Sequence, residues 1–215
     1  RSSDLIPTVD RQTEAYSKLR TAFASFGMGT KTGIDLPGEA TGISTPVDKL
    51  DTVSDGGKIL DLAFGQFDTY TTLQLAQYAA TVANGGQRLQ PHIVSGIYGN
   101  DETGGLGSLK SAVEPTVLNE VGLTTDQMKI IQNGFYDAVH GTDAWATATG
   151  LASAKMELSA KTGTAETPIV DENGKTINLV NLNIVAYGPS DDADIAVAVV
   201  LPQVKSSTTS RSEEH

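Results

Sequence analysis

From Glu157 onward the chain is built of β-prone runs and short turn words, and this stretch restricts the fold more than any other. Glu157–Thr167, Leu182–Tyr187 and Asp194–Leu201 are the three runs. Between the first two lies Asp171-Glu172-Asn173-Gly174-Lys175, which carries Asn-Gly. That dipeptide is the strongest short hairpin signal, because both residues favour tight turns. Pro189-Ser190-Asp191-Asp192 turns the second run into the third. Three strands joined by short turns make an antiparallel meander. The third run is I-A-V-A-V-V-L, almost wholly apolar, which predicts a strand covered on both faces.

Helical patterns precede the meander, so the class is α+β. Over Glu14–Phe26, Ala15, Leu19, Ala22, Phe23 and Phe26 fall three and four apart and form one apolar stripe. Gly27-Met28-Gly29 ends that helix. Thr71 or Thr72 caps a second helix reaching about Ala83, with Leu75, Ala76, Ala79 and Val82 as its buried face and Asn84-Gly85-Gly86 as its stop. Thr124 and Gln127 make a capping-box pair for a third helix. Met128, Ile131, Phe135 and Val139 line its core face, and it ends at His140-Gly141. Residues 1–13 read as a polar lead-in, 14–203 as one folded unit, and 204–215 as a polar, disordered tail.

Thr32–Glu39 is a loop punctuated by Gly33, Pro37 and Gly38, with Ile34 and Leu36 expected to plug into the core. Asp35 and Glu39 are expected to accept turn and cap hydrogen bonds there rather than to form a catalytic carboxylate pair. Gln90–Val94 leads into a short strand, with a Gly-rich turn at Gly104–Gly107. His92 and His140 read as structural histidines, and Trp145 as a half-buried anchor.

Composition removes several function classes. A net charge of −11 argues against nucleic acid and against an anionic membrane surface. With no cysteine there is no thiol nucleophile, disulfide or thiolate metal site. Three scattered histidines disfavour a His-based metal centre or a Ser-His-Asp triad, and no cofactor motif occurs. No apolar run approaches a membrane span.

The chemistry-bearing stretch is Leu158–Thr167, L-S-A-K-T-G-T-A-E-T. Lys-Thr-Gly on an exposed strand can build one wall of a serine acyl-transfer site. Lys161 can bring a positive charge to a substrate carboxylate or to a nucleophile's proton relay. Gly163 has no Cβ and lets another chain approach closely. Thr164 offers a hydroxyl, and its N–H can help hold an oxyanion. The same tripeptide occurs at Lys31-Thr32-Gly33 in a Gly-rich loop, so by itself it is equally a chance word on a polar edge strand.

Several words taken together resemble class B penicillin-binding proteins. They are Phe26-Gly27-Met28-Gly29 with Thr32–Glu39, Gly65-Gln66 with Thr72–Ala76, Ala83-Asn84-Gly85-Gly86, Pro91–Val94, and Lys161-Thr162-Gly163-Thr164-Ala165. They stand in the order that family shows, over roughly residues 14–203, and look most like the 2B-type enzymes of Gram-positive bacteria. The resemblance implies a five-stranded antiparallel sheet with helices on both faces, as in the penicillin-binding transpeptidase and β-lactamase fold. It implies D,D-transpeptidation of peptidoglycan stem peptides through a serine acyl-enzyme, β-lactams as ligands, and a parent anchored on the extracellular face of the membrane. By position, Lys161 matches the third-motif lysine, Thr162 and Thr164 line the groove, Thr164 N–H is an oxyanion donor, and Glu166 sits where the strand leaves the groove.

The family's other two motifs do not occur. No serine here begins Ser-x-x-Lys or Ser-x-Asn; Ser54 and Lys58 are one residue too far apart. The resemblance therefore implies the C-terminal part of a transpeptidase domain, with the last three strands and without the nucleophile. Such a chain is expected to be inactive alone. It is also expected to expose an apolar face that invites the absent half or self-association. A non-catalytic binding or structural module that kept this fold is the alternative.

Overall fold

The computed structural model describes residues 9–50 and 58–205, with side chains from Thr13 onward. Residues 1–8, 51–57 and 206–215 lie outside the described residues, and with them Ser54, most of the lead-in and the tail beyond Lys205. The helices are α1 (Val9–Ser25), α2 (Lys58–Ala63), α3 (Thr72–Ala83) and α4 (Thr125–His140). The strands are β1 (Gln87–Leu89), β2 (Gly96–Asn100), β3 (Leu106–Ala112), β4 (Val117–Glu120), β5 (Ser159–Glu166), β6 (Ile169–Val170), β7 (Thr176–Ile177), β8 (Leu179–Gly188) and β9 (Ile195–Lys205). No helix among them is long and apolar enough to cross a membrane.

The meander forms as the order β5-β8-β9, antiparallel throughout. Its Asn-Gly turn closes the small β6–β7 hairpin, in which Gly174 has φ 77° and Asp171 N–H donates to Lys175 O at 2.9 Å. This hairpin is an extension between β5 and β8, not the direct link between them. Two further pairs, β1–β4 and β2–β3, stand apart from the main sheet. The sequence pattern anticipated only one short strand in that region.

Residues opposite one another in an antiparallel pair share a face. Ser159, Lys161 and Gly163 thus share a face with Tyr187, Val185 and Asn183. On that face Val185 and Tyr187 pack with Ala79 and Val82 of α3 and with Met128 and Phe135 of α4, forming the main core. On the opposite face Val139, Ala148 and Ala160 form a smaller cluster with Leu151, Ile184 and Ala186.

Farther out on that second face, Ile195, Val197, Val199 and Leu201 are exposed, Val199 at 47 %. The expectation that this strand is covered on both faces does not hold among the described residues. α3 and the first part of α4 lie on one side; the other is covered only near β5, where Val139 at the end of α4 joins the smaller cluster.

Both helix caps form as reciprocal boxes. Thr71 Oγ1 accepts from Gln74 N and Gln74 Oε1 accepts from Thr71 N; Thr124 and Gln127 do the same. Thr71, not Thr72, is the cap. The first helix begins at Val9 rather than Glu14, and its buried side chain is Tyr16, which the apolar stripe did not single out. On α3, Ala79 and Val82 are buried as expected, but Gln74 and Gln77 are buried too, whereas Leu75 and Ala76 are half-buried. The glutamines are needed inside because loop carbonyls there would otherwise be unpaired. Gln74 Nε2 donates to Thr30 O at 2.6 Å, and Gln77 Nε2 to Thr32 O at 3.1 Å and Leu89 O at 2.7 Å.

Candidate functional site

The Thr32–Glu39 loop is held by its two carboxylates. Glu39 accepts from Thr32 N and Thr32 Oγ1, both at 2.6 Å, and from Gly33 N at 3.2 Å. Burial pushes its pKa up, but these hydrogen bonds outweigh that and hold it below the ordinary value. Asp35 accepts from Ile93 N at 2.8 Å and Val94 N at 3.0 Å, and those two bonds lower its pKa. The carboxylates therefore do the structural work expected of them. Leu36 is 51 % exposed, so only Ile34 of the pair turns partly inward. Lys31-Thr32-Gly33 is part of this clasp, with Thr32 fully buried, and not an open wall.

The second Lys-Thr-Gly has the opposite setting. Among the described residues β5 is an edge of the sheet, paired on one side with β8 in an unbroken register from Ser159 to Glu166. In an antiparallel pair, alternate residues turn both N–H and C=O toward the partner. Just beyond the strand Thr167 N–H donates to Leu179 O at 2.8 Å, which puts the odd-numbered residues on the β8 side. By the same alternation Thr162 and Thr164 direct N–H and C=O to the free edge. Lys161 Nζ agrees with this, since it is exposed and donates to Thr162 O at 2.8 Å. An exposed cation that donates to the Thr162 carbonyl, and a Thr164 N–H directed outward, therefore lie along one strand edge.

The other predicted residues divide. Gly163 is approached closely, but by Asn183 of β8 on the same face, whose side chain occupies the space a Cβ would need. Glu166 is exposed at the end of β5. The hydroxyl of Thr162 is engaged by Thr147 Oγ1 at 2.6 Å, so its side chain points to the sheet face away from α3 and leaves the edge to its backbone. The histidines are structural: His92 Nδ1 meets Val94 O at 2.9 Å and His140 Nε2 meets Leu158 O at 3.0 Å.

Sequence reasoning missed Thr147 and Asn183 beside the edge strand. Register parity could have flagged Asn183, but nothing local could have flagged Thr147. Trp145, expected half-buried, is 84 % exposed. Its N–H donates to Asp143 Oδ1 at 2.9 Å, a local turn that leaves the indole outside.

A cavity of about 230 Å³ opens near the start of β5, lined by Lys129, Tyr136, Ser159, Tyr187, Ser190 and Asp191 among others. Ser159 Oγ donates to Ser190 Oγ at 2.9 Å, and burial pushes the Tyr187 phenol pKa up. Lys161 is outside this cavity, and its site is an open edge. Among the described residues no group of three or more His, Asp and Glu is arranged to hold a metal ion.

Comparison with known proteins identifies the family. The model of the penicillin-binding protein transpeptidase domain matches residues 9–215. Penicillin-binding protein 2B of Streptococcus pneumoniae is 47 % identical over 189 residues, which is 87 % of this chain and 26 % of that protein. Penicillin-binding protein 2A of Bacillus subtilis is 40 % identical over 193 residues, 88 % of this chain and 26 % of that protein. The chain thus spans about a quarter of the length of these relatives. A solved structure of the pneumococcal 2B protein from strain R6 superposes with a TM-score of 0.84 at 43 % identity, covering 95 % of this chain and 32 % of that one. A family match over nearly the whole sequence, together with the close superposition on the pneumococcal 2B structure, means that the chain belongs to the penicillin-binding protein transpeptidase family, on its class B side.

Proposed function

We propose that this chain supplies the Lys-Thr-Gly wall of a serine acyl-transfer site in a peptidoglycan D,D-transpeptidase. The observation that carries this reading is the free edge of β5, with Lys161 exposed and Thr164 N–H directed outward. A stem peptide ending in D-Ala–D-Ala lies along that edge. The Lys161 ammonium faces its terminal carboxylate and favours the proton relay of the attacking serine. As the serine oxygen adds to the carbonyl, Thr164 N–H donates to the developing oxyanion, where charge grows in the transition state. Thr162 contributes its backbone, Gly163 keeps the strand flat beside Asn183, and Glu166 sets the polarity at the groove's end. A β-lactam occupies the same edge. The serine and its base come from a Ser-x-x-Lys segment that this chain does not contain, so the chain alone performs no acylation. The working place is the outer face of the cell membrane, where the wall polymer is.

The test uses a fluorescent penicillin. The chain alone should take no covalent label. When the chain is fused behind the segment of the pneumococcal 2B relative that carries Ser-x-x-Lys and Ser-x-Asn, label should appear. Lys161→Ala in that fusion should slow acylation by about 100-fold, the loss expected on removing one charge-stabilising group. Labelling that is indifferent to Lys161 would overturn the assignment of the wall. A stable adduct on the chain alone would overturn its predicted inactivity.

A further inference from the structure

Thr162 is fastened at two points besides its pairing with β8. Lys161 Nζ donates to its carbonyl at 2.8 Å, and Thr147 Oγ1 meets its Oγ1 at 2.6 Å. The second tie comes from the segment that links α4 to β5, and that segment is itself fixed. Ala148 N–H donates to Ala138 O in the last turn of α4 at 2.8 Å, and Leu151 N–H donates back to Ala148 O at 2.9 Å. Ala148 is 5 % exposed and clusters with Val139 and Ala160. Alternate residues of a strand share a face, so Ala160 and Thr162 lie on one face of β5. Consecutive residues of the linking segment therefore serve alternate residues of the strand. Ala148 packs with Ala160, and Thr147 bonds to Thr162.

An edge strand has a hydrogen-bonding neighbour on one side only, so its outer groups are less pinned than those of an inner strand. A donor to an oxyanion works only within about 2.7–3.1 Å of where the charge develops, and small misplacements cost rate. Thr164 is the next residue after Thr162 on the same face. We infer that Thr147 is a positioning residue for this edge: its hydroxyl fixes the side chain of Thr162 and, through it, the setting of the strand at Lys161 and Thr164. Thr147 touches no reacting atom. The inference rests on the reading of β5 as the groove wall. Thr147 is exposed and Thr162 half-buried, so water can replace the lost partner of either hydroxyl. Losing the tie thus disturbs the setting of the edge more than the stability of the fold.

The fusion that carries Ser-x-x-Lys and Ser-x-Asn tests this with a fluorescent penicillin. Thr147→Val keeps the shape of the side chain and removes the hydroxyl, whereas Thr147→Ser keeps the hydroxyl. A concentration series separates the limiting acylation rate from the half-saturating concentration. Thr147→Val should lower the limiting rate about tenfold, the scale of one hydrogen bond, and leave half-saturation within about twofold of native. Thr147→Ser should restore most of the rate. Thr162→Val should also slow acylation, and adding Thr147→Val to it should cost nothing more, because both changes remove the same bond. The urea midpoints of Thr147→Val and Thr147→Ser should agree, so that a rate difference between them cannot come from unfolding. A native rate for Thr147→Val, no recovery with Thr147→Ser, or losses that multiply in the double variant would overturn the role of Thr147. The wall then stands as long as Lys161→Ala still slows labelling. If Lys161→Ala is also without effect, the wall reading falls and this inference falls with it.

Discussion

Glu39 shows how much one side chain can hold. Its two oxygens close the loop by accepting from Thr32 N, Thr32 Oγ1 and Gly33 N. Gly33 sits at φ +82°, a conformation that glycine adopts freely, so the carboxylate fixes a backbone that would otherwise be loose. The folded pKa is depressed relative to an ordinary value of 4.5. A depressed carboxylate stabilises the fold above the unfolded-state pKa, and that contribution is lost as pH falls through the folded value. The urea midpoint of the native chain should therefore drop between pH 6 and pH 3 by more than that of Glu39→Gln, whose amide does not titrate. Equal drops in the two proteins would show that the clasp contributes no pH-dependent stability.

At the scale of elements, the helices are attached to the loops by a few buried polar ties. Arg20 on α1 grips Asp68 in a fork, with Nε to Oδ2 at 2.8 Å and Nη2 to Oδ1 at 2.7 Å, and it also donates to Thr45 O at 2.6 Å. The Asp68 side chain is nearly inaccessible and that of Arg20 mostly so. Removing one member of such a pair leaves the other charge short of partners away from water. Asp68→Ala should destabilise the chain by about 2–3 kcal/mol, read from urea unfolding. The exposed pair Lys18–Glu14 on the same helix is the control, because Lys18→Ala should change stability by less than about 0.5 kcal/mol. A similar small loss for both would mean that α1 is held by Tyr16 and its packing alone.

At the scale of the molecule, the sheet has two unlike faces. One is buried under α3 and α4 around Phe135, Val185 and Tyr187. On the other, Ile195, Val197, Val199 and Leu201 stand in a row on β9, an edge strand of eleven residues. A long edge with an apolar row beside it is a template for association. Sedimentation velocity should accordingly show a concentration-dependent rise in mass for this chain, and Val199→Lys should shift it toward monomer. A concentration-independent monomer for the native chain would show that this face tolerates water.

The sequence by itself determined what depends on near neighbours. The capping boxes at Thr71 and Thr124, the Asn173-Gly174 turn and the core positions Met128, Phe135 and Val139 all follow from local spacing and backbone preference. So did the family, because ordered words such as Thr32–Glu39 and Lys161–Ala165 survive without coordinates. Pairing decided the rest. The apolarity of β9 could not say whether both faces are covered, since cover comes from elements far away in sequence. No local spacing marks Gln74 and Gln77 as buried; the loop carbonyls they satisfy, distant in sequence, decide it. The two Lys-Thr-Gly words are identical as strings, and only the placement of a neighbour separates them. Glu39 closes over the first and β8 takes one side of the second, which leaves Thr162 and Thr164 with hydrogen-bonding groups at a free edge.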